Sequence, residues 1–490
     1  MRAQADGDRQ YRLLIDGEWV STTDSYPIVN PATEEVVARA PEATRQHAEA
    51  AVAAARRAFD SWSQTTPEHR SALLSAAARL LRERSADIVP IVQAETGSLI
   101  GVATNVQVPA CAGRLERFAR GALESATIPL PPVEPPAGGT GQVVNTIAMR
   151  QPVGVVGCIT PYNFPMTNLA GKIGPALAMG NTVVIKPAPQ DPLGVLELAD
   201  ILNEVGFPPG VVNVITGSGP VTGEALVESP DVDMISFTGS TGVGARIGER
   251  ASAGMKRLLL ELGGKSANIV FDDAPLEQAV MGAASVWTFH SGQICIAPTR
   301  LFVQRAVYNE MVERMAKLGS SLNVGDPLDP ATVVGPLISG VHRDRVHGYI
   351  QLGREEGADL VTGGGVPAHT ERGYFIEPTL FAEGRNDMRI AREEIFGPVI
   401  LAIPFDDEEE AIALANDSDF GLHCYVWSGS TARALRVARR MRTGNVSING
   451  APISPEAPFG GFKMSGVGRD AGSFGLAMYS ELQSISWPSA

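Results

Sequence analysis

From residue 154 onward, short runs of β-branched residues alternate with stretches that have a helical pattern. This alternation predicts βαβ units, in which helices join parallel strands and cover the sheet. The chain is therefore expected to be an α/β protein. The predicted strands lie at 155–159, 182–185, 211–215 and 234–237, and the predicted helices at 168–179, 192–205 and 219–228.

A second series of the same kind follows and predicts a second sheet. Because 490 residues are too many for one simple core, we expect two or three domains. Before both series, the pattern predicts one strand over 11–20 and helices over 44–62 and 67–96. The second series has strands at 267–271, 301–304, 398–404, 424–427 and 445–448, and helices at 276–291, 308–320 and 431–441.

A Pro-rich segment at 128–141 interrupts this pattern. Its prolines exclude a helix, so the segment leaves the main body of the protein. Composition favours a surface loop over an arm that contacts another subunit, and both interpretations stay open at this point.

The charge and cysteine content exclude several classes of protein. The 40 Lys and Arg against 54 Asp and Glu give a net charge of −14, which argues against nucleic acid or an anionic membrane as a partner. The four cysteines lie far apart, so we expect no disulfide framework, no metal site and a reducing cytoplasm. Residues 1–10 are polar, and no apolar run approaches the roughly 18 residues of a membrane span, so neither a signal peptide nor a membrane helix is predicted.

Two Gly-flanked segments carry a carboxylate and a thiol, two groups that can act in the same reaction. Glu261 lies in an apolar run before Gly263, and Cys295 follows Gly292-Gln293-Ile294. A thiol attacks carbonyl carbon, and a carboxylate can activate the water that releases an acyl group. The alternatives are a small buried apolar residue for Cys295 and a solvent-facing edge residue for Glu261.

Three further segments suggest binding groups. Asn163, in the segment 161–165, is either a turn residue or, with the Cys295 amide, a donor to a carbonyl oxygen. The Gly-rich turn 237–244 opens a helix at about Val243 and can bind a pyrophosphate, although its spacing is not the usual Gly-x-Gly-x-x-Gly. Lys186, at a strand end, either binds a ribose or phosphate or is simply solvated.

Taken together, seven segments resemble motifs of the aldehyde dehydrogenase superfamily, of the hydrolytic type, and they occur in the same order over nearly the whole chain. The segments are 161–165, 185–187, 237–241, 261–265, 292–295, 393–398 and 458–463. The resemblance implies an α/β fold with a Rossmann-type cofactor domain, an α/β catalytic domain and a small β oligomerisation element. These correspond to residues 1–124 with 149–262, to 263–455, and to 125–148 with 470–490.

The resemblance also implies a reaction. An aldehyde is oxidised to the carboxylic acid with NAD(P)+, through a thiohemiacetal and then a thioester on Cys295. Asn163 and the Cys295 amide resemble the oxyanion hole, Glu261 the base for the hydrolytic water, and Lys172 a lysine near the proton route. The rivals are a dehydrogenase that transfers the acyl group to CoA, a plain thiol esterase and a non-catalytic protein on the same scaffold.

The cofactor expected from the resemblance is NAD, with NADP possible. Lys186 matches a ligand of the adenosine ribose, Ser240 a pyrophosphate contact, and Glu394 with Phe396 the nicotinamide-ribose contacts. The remaining cofactor positions carried over are Ile159, Thr160, Pro161, Tyr162, Gly219, Phe237, Gly239, Val243 and Leu262. The Pro-rich arm and residues 484–487 resemble oligomerisation elements, which implies a homodimer or homotetramer.

Three positions depart from the family pattern. Pro189 stands where many NAD-preferring members have a glutamate that repels a 2′-phosphate. Ser473 stands where some members have a glutamate near Lys172, so that part of the proton route is not carried over. Tyr162 replaces the more usual Trp and keeps an aromatic ring. By the same resemblance, Thr167, Asn168 and Gly171 are expected to line the aldehyde tunnel.

Overall fold

The computed structural model describes residues 10–134 and 142–489. Residues 1–9, where no signal peptide is predicted, and 135–141, the end of the Pro-rich segment, lie outside the described residues, as does residue 490. None of the described helices is long and apolar enough to cross a membrane.

The first half of the chain supplies seven of the eight strands of a sheet that has helices on both faces. The elements up to residue 261 are β1 (Leu13–Ile15), β2 (Glu18–Val20), β3 (Ser25–Val29), β4 (Val36–Pro41), α1 (Arg45–Trp62), α2 (Pro67–Glu83), α3 (Ser85–Thr96), α4 (Ile100–Val102), α5 (Val108–Gly121), β5 (Thr127–Val133), β6 (Val144–Pro152), β7 (Val155–Ile159), α6 (Pro165–Ala178), β8 (Thr182–Lys186), α7 (Leu193–Glu204), β9 (Val212–Val214), α8 (Val221–Glu228), β10 (Met234–Thr238), α9 (Thr241–Ser252) and β11 (Arg257–Glu261).

The second half forms a sheet of seven strands and then returns to the first half. Its elements are β12 (Ala267–Val270), α10 (Leu276–Thr288), β13 (Arg300–Gln304), α11 (Tyr308–Ser321), α12 (Gly340–Glu355), β14 (Asp359–Thr362), β15 (Thr379–Ala382), α13 (Arg389–Arg392), β16 (Val399–Phe405), α14 (Glu408–Asn416), β17 (Phe420–Gly421), β18 (His423–Trp427), α15 (Thr431–Ala438), β19 (Asn445–Ile448), β20 (Phe462–Lys463), β21 (Gly466–Val467), α16 (Gly472–Met478) and β22 (Ser480–Pro488).

Both large sheets are mainly parallel, which confirms the predicted α/β class. The first has the order β2-β1-β9-β8-β7-β10-β11-β21, and the second β14-β15-β16-β13-β12-β18-β19. In the first sheet, β7 to β11 are parallel, while β1 and β21 join antiparallel at either end of this group. The apolar side chains that alternate along these strands pack against α2, α5, α6 and α7 on one face and against α1, α8 and α9 on the other.

Local sequence signals explain where several helices begin. Thr44 precedes α1, and its hydroxyl accepts a hydrogen bond from the His47 amide, while the His47 ring accepts one from the Thr44 amide. Pro67 and Pro165 stand at the first positions of α2 and α6, where the missing amide hydrogen costs nothing.

Three predictions of secondary structure need correction. The run 11–20 is a hairpin of β1 and β2, because Asp16 and Gly17 adopt positive φ angles of 56° and 80° and turn the chain. The helix predicted over 67–96 is two helices, because it breaks at Arg84. The helix expected at about Val243 begins at Thr241. Both α12 and β11 were missed by the sequence analysis.

A small three-stranded sheet, in the order β22-β6-β5, stands apart from the two large ones. The Pro-rich segment thus contains a strand, β5, and the C-terminal strand β22 pairs along the full length of β6. The strand β6 crosses the expected boundary between residues 148 and 149 and continues to Pro152.

Candidate active site

A crevice with a volume of about 450 Å³ opens beyond the carboxyl ends of β7, β8 and β10. It lies where the chain leaves the central strand β7 in opposite directions, to β8 on one side and to β10 on the other. In open parallel sheets, such a switch point is where nucleotides bind. Ten of the predicted cofactor residues line the crevice: Ile159, Thr160, Pro161, Tyr162, Lys186, Gly219, Phe237, Gly239, Ser240 and Val243.

The polar groups of the crevice fit a nucleotide. Ser240 stands at the N-terminus of α9, and its side chain does not cap the helix, so the first amides of α9 are free to receive an anion. Lys186 directs its ammonium group to the carbonyl oxygens of Pro187 at 2.8 Å and Gly217 at 3.4 Å. Burial lowers the pKa of Lys186 to about 8. The buried hydroxyl of Thr160 has no hydrogen-bond partner in the described part of the chain.

The other three predicted cofactor residues lie beside this crevice rather than in its wall. Phe396 follows α13, and its ring meets that of Tyr162 edge to face, with centroids 5.9 Å apart. The Glu394 carboxylate accepts a hydrogen bond of 3.1 Å from the Gly264 amide, and burial raises its pKa to about 7. Leu262 is buried and packs under Gly244 of α9. The contact with Tyr162 brings the segment of Glu394 and Phe396 to the edge of the crevice.

The loop that carries Cys295 is held in an unusual backbone conformation. His290, Ser291 and Gly292 have φ angles of 48°, 58° and 72°. A Cβ at position 292 would lie 2.3 Å from the Gly397 carbonyl oxygen, so only glycine fits there. The Ser291 hydroxyl donates to the Gly335 carbonyl at 2.7 Å. The loop is therefore held by the segment of Gly335 as well as by that of Gly397.

Cys295 differs from the other cysteines in its exposure. Its side chain is partly exposed, whereas Cys111, Cys158 and Cys424 are fully buried in the cores. Burial and then the negative charge of Glu261 raise the pKa of the Cys295 thiol to about 12, and the amides of residues 295 and 296 oppose this shift. The thiol is therefore protonated near neutral pH and needs a base to attack.

Asn163 contacts the nucleophile loop directly. Its side-chain Nδ2 donates a hydrogen bond of 3.0 Å to the carbonyl oxygen of Gln293, and its Oδ1 accepts one of 3.0 Å from the Phe164 amide. The Gln107 side chain holds the Asn163 carbonyl at 3.2 Å. Because an amide group carries two N–H donors, one remains for another oxygen atom.

Glu261 is the last residue of β11 and is buried, with 4% of its surface exposed. It is paired with Thr238 of β10 on one side and with Gly466 of β21 on the other. Both carboxylate oxygens lack a hydrogen-bond partner among the described residues. Burial, followed by the charge of Asp470, raises the pKa of Glu261 well above its usual value, while Lys172 opposes the shift. The alternative of a solvent-facing residue is wrong.

Lys172 belongs to α6 and is fully buried. Its ammonium group donates to the Ser236 hydroxyl at 3.2 Å, and that hydroxyl lies 2.8 Å from the hydroxyl of Tyr479. The positive charge of Lys172 acts on both Glu261 and Asp470.

Ser473 does not belong to this cluster, although the sequence analysis places it near Lys172. It is exposed in the first turn of α16. The carboxylate that accompanies Lys172 is that of Asp470, three residues earlier, and burial raises the pKa of Asp470. The sequence analysis missed Asp470, whose only signal is its position after the glycine-rich segment that pairs with β11.

The comparisons with known proteins agree with each other. A model of the aldehyde dehydrogenase family matches residues 19–485. The chain is 42% identical to the 3-succinoylsemialdehyde-pyridine dehydrogenase of a Pseudomonas species, over 97% of this chain and 98% of that protein. It is also 42% identical to the betaine aldehyde dehydrogenase of Rhizobium leguminosarum, over 96% of each chain.

Solved structures give the same result. The NAD+ complex of betaine aldehyde dehydrogenase from Staphylococcus aureus superimposes with a TM-score of 0.94 at 36% identity, over 98% of this chain and 95% of that one. The NAD+ complex of an aldehyde dehydrogenase from Bacillus cereus has a TM-score of 0.93 at 37% identity, over 98% and 97% of the two chains.

Proposed function

The chain belongs to the aldehyde dehydrogenase family and oxidises aldehydes to carboxylic acids with NAD(P)+, and from this premise we propose that Cys295, Asn163 and Glu261 perform the reaction. The observation that carries the proposal is the hydrogen bond from Asn163 to Gln293, which ties an amide donor to the loop of a partly exposed thiol. A buried carboxylate whose charge acts on the same thiol completes the set.

The first step forms a bond between the Cys295 sulfur and the aldehyde carbon. The thiol proton passes to Glu261, whose raised pKa makes its carboxylate a stronger base than that of an ordinary glutamate. The carbonyl oxygen becomes an oxyanion, which the Cys295 amide and the second N–H of the Asn163 side chain stabilise. When bound, the nicotinamide supplies the two-electron oxidant that accepts hydride, and the carbon is left as a thioester of Cys295.

The second step releases the acid. Glu261 removes a proton from a water molecule, the oxygen of that water attacks the thioester carbon, and the carbon–sulfur bond breaks to regenerate the cysteine. Before this step Glu261 passes the thiol proton to Asp470, whose charge acts on its carboxylate, and the positive charge of Lys172 favours the ionised form of both carboxyl groups. The proton that Glu261 then takes from water goes to the leaving thiolate. A CoA-transferring dehydrogenase has no need for such a base, so the hydrolytic reaction is favoured.

The crevice accepts NAD with its adenosine ribose at Lys186 and its pyrophosphate at the N-terminus of α9. Pro189 lines the crevice next to Lys186 and brings no carboxylate there. Arg246, Arg250 and Glu224 line the same crevice, and Arg250 forms an ion pair with Glu224 at 3.4 Å. A 2′-phosphate therefore meets the charge of Arg246 and no carboxylate at position 189, which supports the use of NADP as well.

The small sheet of β5, β6 and β22 forms the contact between subunits of a homodimer or homotetramer. Its exposed apolar side chains support this, and they include Ile128, Leu130, Leu482, Ile485 and Trp487. Residues up to 262 other than this arm form the cofactor domain, and 263–455 form the catalytic domain. The four free cysteines support a reducing compartment such as the cytoplasm.

The test is a rapid-mixing experiment with Glu261→Gln. We expect a burst of reduced cofactor, equal to the active sites, followed by slow turnover, and an intact mass that is raised by one acyl group. Cys295→Ser should show neither burst nor mass increase, whereas wild type should turn over without accumulating the acyl form. A Glu261→Gln variant with the wild-type steady-state rate would remove Glu261 from the mechanism. Turnover of wild type that requires CoA would favour the acyl-transfer rival.

A further inference from the structure

An arginine from α5 occupies space next to the predicted aldehyde tunnel. The Nη1 of Arg114 donates a hydrogen bond of 3.0 Å to the carbonyl oxygen of Thr167 in α6. One turn further along α6, a Cβ at Gly171 would lie 2.6 Å from the same nitrogen atom. The guanidinium group therefore fills the place where a side chain of residue 171 would stand, between two residues expected to face the substrate.

The guanidinium group has no acidic partner of its own. Within residues 10–134 and 142–489, no carboxylate oxygen lies within 4 Å of Arg114, and Thr167 supplies its one hydrogen-bond acceptor. By contrast, Arg117 on the same helix forms ion pairs with Glu456 at 2.6 Å and with Glu124 at 3.1 Å. A guanidinium carries five N–H donors, so most of those of Arg114 remain available.

Arg114 is also close to the reacting groups. The negative charges of Asp470 and Glu261 act on the guanidinium, although neither of them forms an ion pair with it. Burial lowers the pKa of Arg114 from its high usual value, yet an arginine stays charged at any working pH. A permanent positive charge with unused donors thus lies beside Thr167, which is next in the chain to Asn168, and the Asn168 side chain contacts that of Asn163 at 3.4 Å.

We propose that Arg114 binds a carboxylate at the far end of the aldehyde, so that the physiological substrate class is an oxo acid with a terminal aldehyde. The planar fork of an arginine matches the two oxygens of a carboxylate and can bind both at once. The proposal rests on the proposed function, because it assigns the substrate class of that same site. Gly171 has a role in it as well, since only a residue without a side chain leaves room for the guanidinium group.

The competing explanation is that Arg114 only balances the charges of Asp470 and Glu261. Such a structural role would affect every aldehyde equally, because all of them react at the same thiol. A carboxylate contact affects only the aldehydes that carry one. The two explanations therefore differ in the ratio of kcat/KM between a carboxylated aldehyde and an uncharged one.

The experiment compares 4-oxobutanoate with butanal, which has the same chain length, as substrates of the full-length enzyme. We expect wild type to prefer 4-oxobutanoate, and Arg114→Gln to lower the kcat/KM ratio of the two by about 10- to 100-fold, mainly through KM. Arg114→Lys keeps the charge without the fork and should retain part of the preference. Arg117→Gln, on the same helix, should leave the ratio unchanged.

Three outcomes would overturn the inference. The first is a wild-type kcat/KM that is higher for butanal than for 4-oxobutanoate. The second is an equal loss of kcat/KM for both substrates in Arg114→Gln. The third is a change of the kcat/KM ratio in Arg117→Gln that is as large as the change in Arg114→Gln. Each of them leaves the proposed function intact, because butanal oxidation still reports Cys295 and Glu261. If neither aldehyde, nor any other in a broad panel, reduces the cofactor, the proposed function itself fails. Thermal unfolding of Arg114→Gln shows whether the variant is folded, and it therefore distinguishes the loss of the contact from the loss of the fold.

Discussion

The Asn163 side-chain nitrogen lies 3.0 Å from the carbonyl oxygen of Gln293, two residues before the nucleophile. One bond thus sets both the position of the thiol loop and the direction of the remaining amide hydrogen. The first half of the chain supplies Asn163 and the second half supplies Cys295, so the oxyanion site that we propose forms only where the two halves meet.

Asn163→Ala should therefore lower kcat by about 10²- to 10³-fold, because an oxyanion donor and a loop anchor are lost together. The measurement is steady-state oxidation at saturating aldehyde, with thermal unfolding to verify the fold. Asn203→Ala is the control, since it removes a half-buried asparagine from α7, away from the thiol loop. A kcat of Asn163→Ala within threefold of wild type would exclude Asn163 as the donor.

Asp470→Asn should shift the pH dependence of deacylation to lower pH. The negative charge of Asp470 raises the pKa of Glu261, so its removal lowers that pKa, and the base becomes ionised at a lower pH. The measurement is the rate of thioester release as a function of pH in single-turnover experiments. Ser473→Asn changes an exposed residue nearby and should leave the profile in place. A shift to higher pH, or none, would contradict the coupling.

Pro189→Glu should restrict the enzyme to NAD. A carboxylate beside Lys186 repels the 2′-phosphate of NADP, so the KM for NADP should rise by about tenfold or more while that for NAD changes little. Pro189→Gln has nearly the same size without the charge and serves as the control. If both variants change the ratio of the KM values for NADP and NAD equally, then the shape of residue 189 rather than its charge decides the cofactor preference.

Asp191→Asn should stabilise the protein increasingly as the pH rises. Burial and the neighbouring Glu95 raise the pKa of the wholly buried Asp191 well above 3.8. Above about pH 4, the unfolded chain loses the proton and the folded chain keeps it, so unfolding releases a proton and wild-type stability falls as pH rises.

The free energy of unfolding of the wild type falls by at most about 1.4 kcal/mol per pH unit for this reason. The variant with asparagine at position 191 does not show this decrease. The check is the difference in apparent Tm between Asp191→Asn and wild type, from pH 5 to pH 8. Asp344→Asn, which removes an exposed carboxylate, is the matched control. A difference that shrinks with pH would show that Asp191 is ionised in the folded protein.

The sequence predicted the sheets better than the details of the site. Alternation of β-branched runs with helices identified nearly all parallel strands, because buried parallel strands must be apolar along their whole length. It missed β11, whose three leucines and Glu261 were interpreted as a motif rather than as a strand. The hairpin of β1 and β2 was detectable from the Asp16-Gly17 pair, a frequent turn signal.

Within the site, motifs located the groups that one segment carries, but not those that depend on contacts between segments. For Cys295, Glu261 and Asn163 the local sequence left alternatives open, and the resemblance of the seven segments to one family gave them their roles. Asp470 and Arg114 were missed, because each matters only through what α6 and β11 bring next to it. At Ser473 the resemblance did not carry over, and no single sequence shows which neighbouring residue faces inward in its place.

The pairing of Glu261 with Gly466 has a consequence for the newly made chain. The Leu262 amide bonds the Ser465 carbonyl at 3.0 Å, and the Ser465 hydroxyl bonds the Gly263 carbonyl at 2.7 Å. The segment that encloses the base is thus synthesised some 200 residues after the base itself. A ribosome-bound chain that already contains the thiol and the carboxylate still lacks the dry surroundings that give Glu261 its basicity. The burial that raises the pKa of Glu261 is therefore complete only after residue 466 has been made.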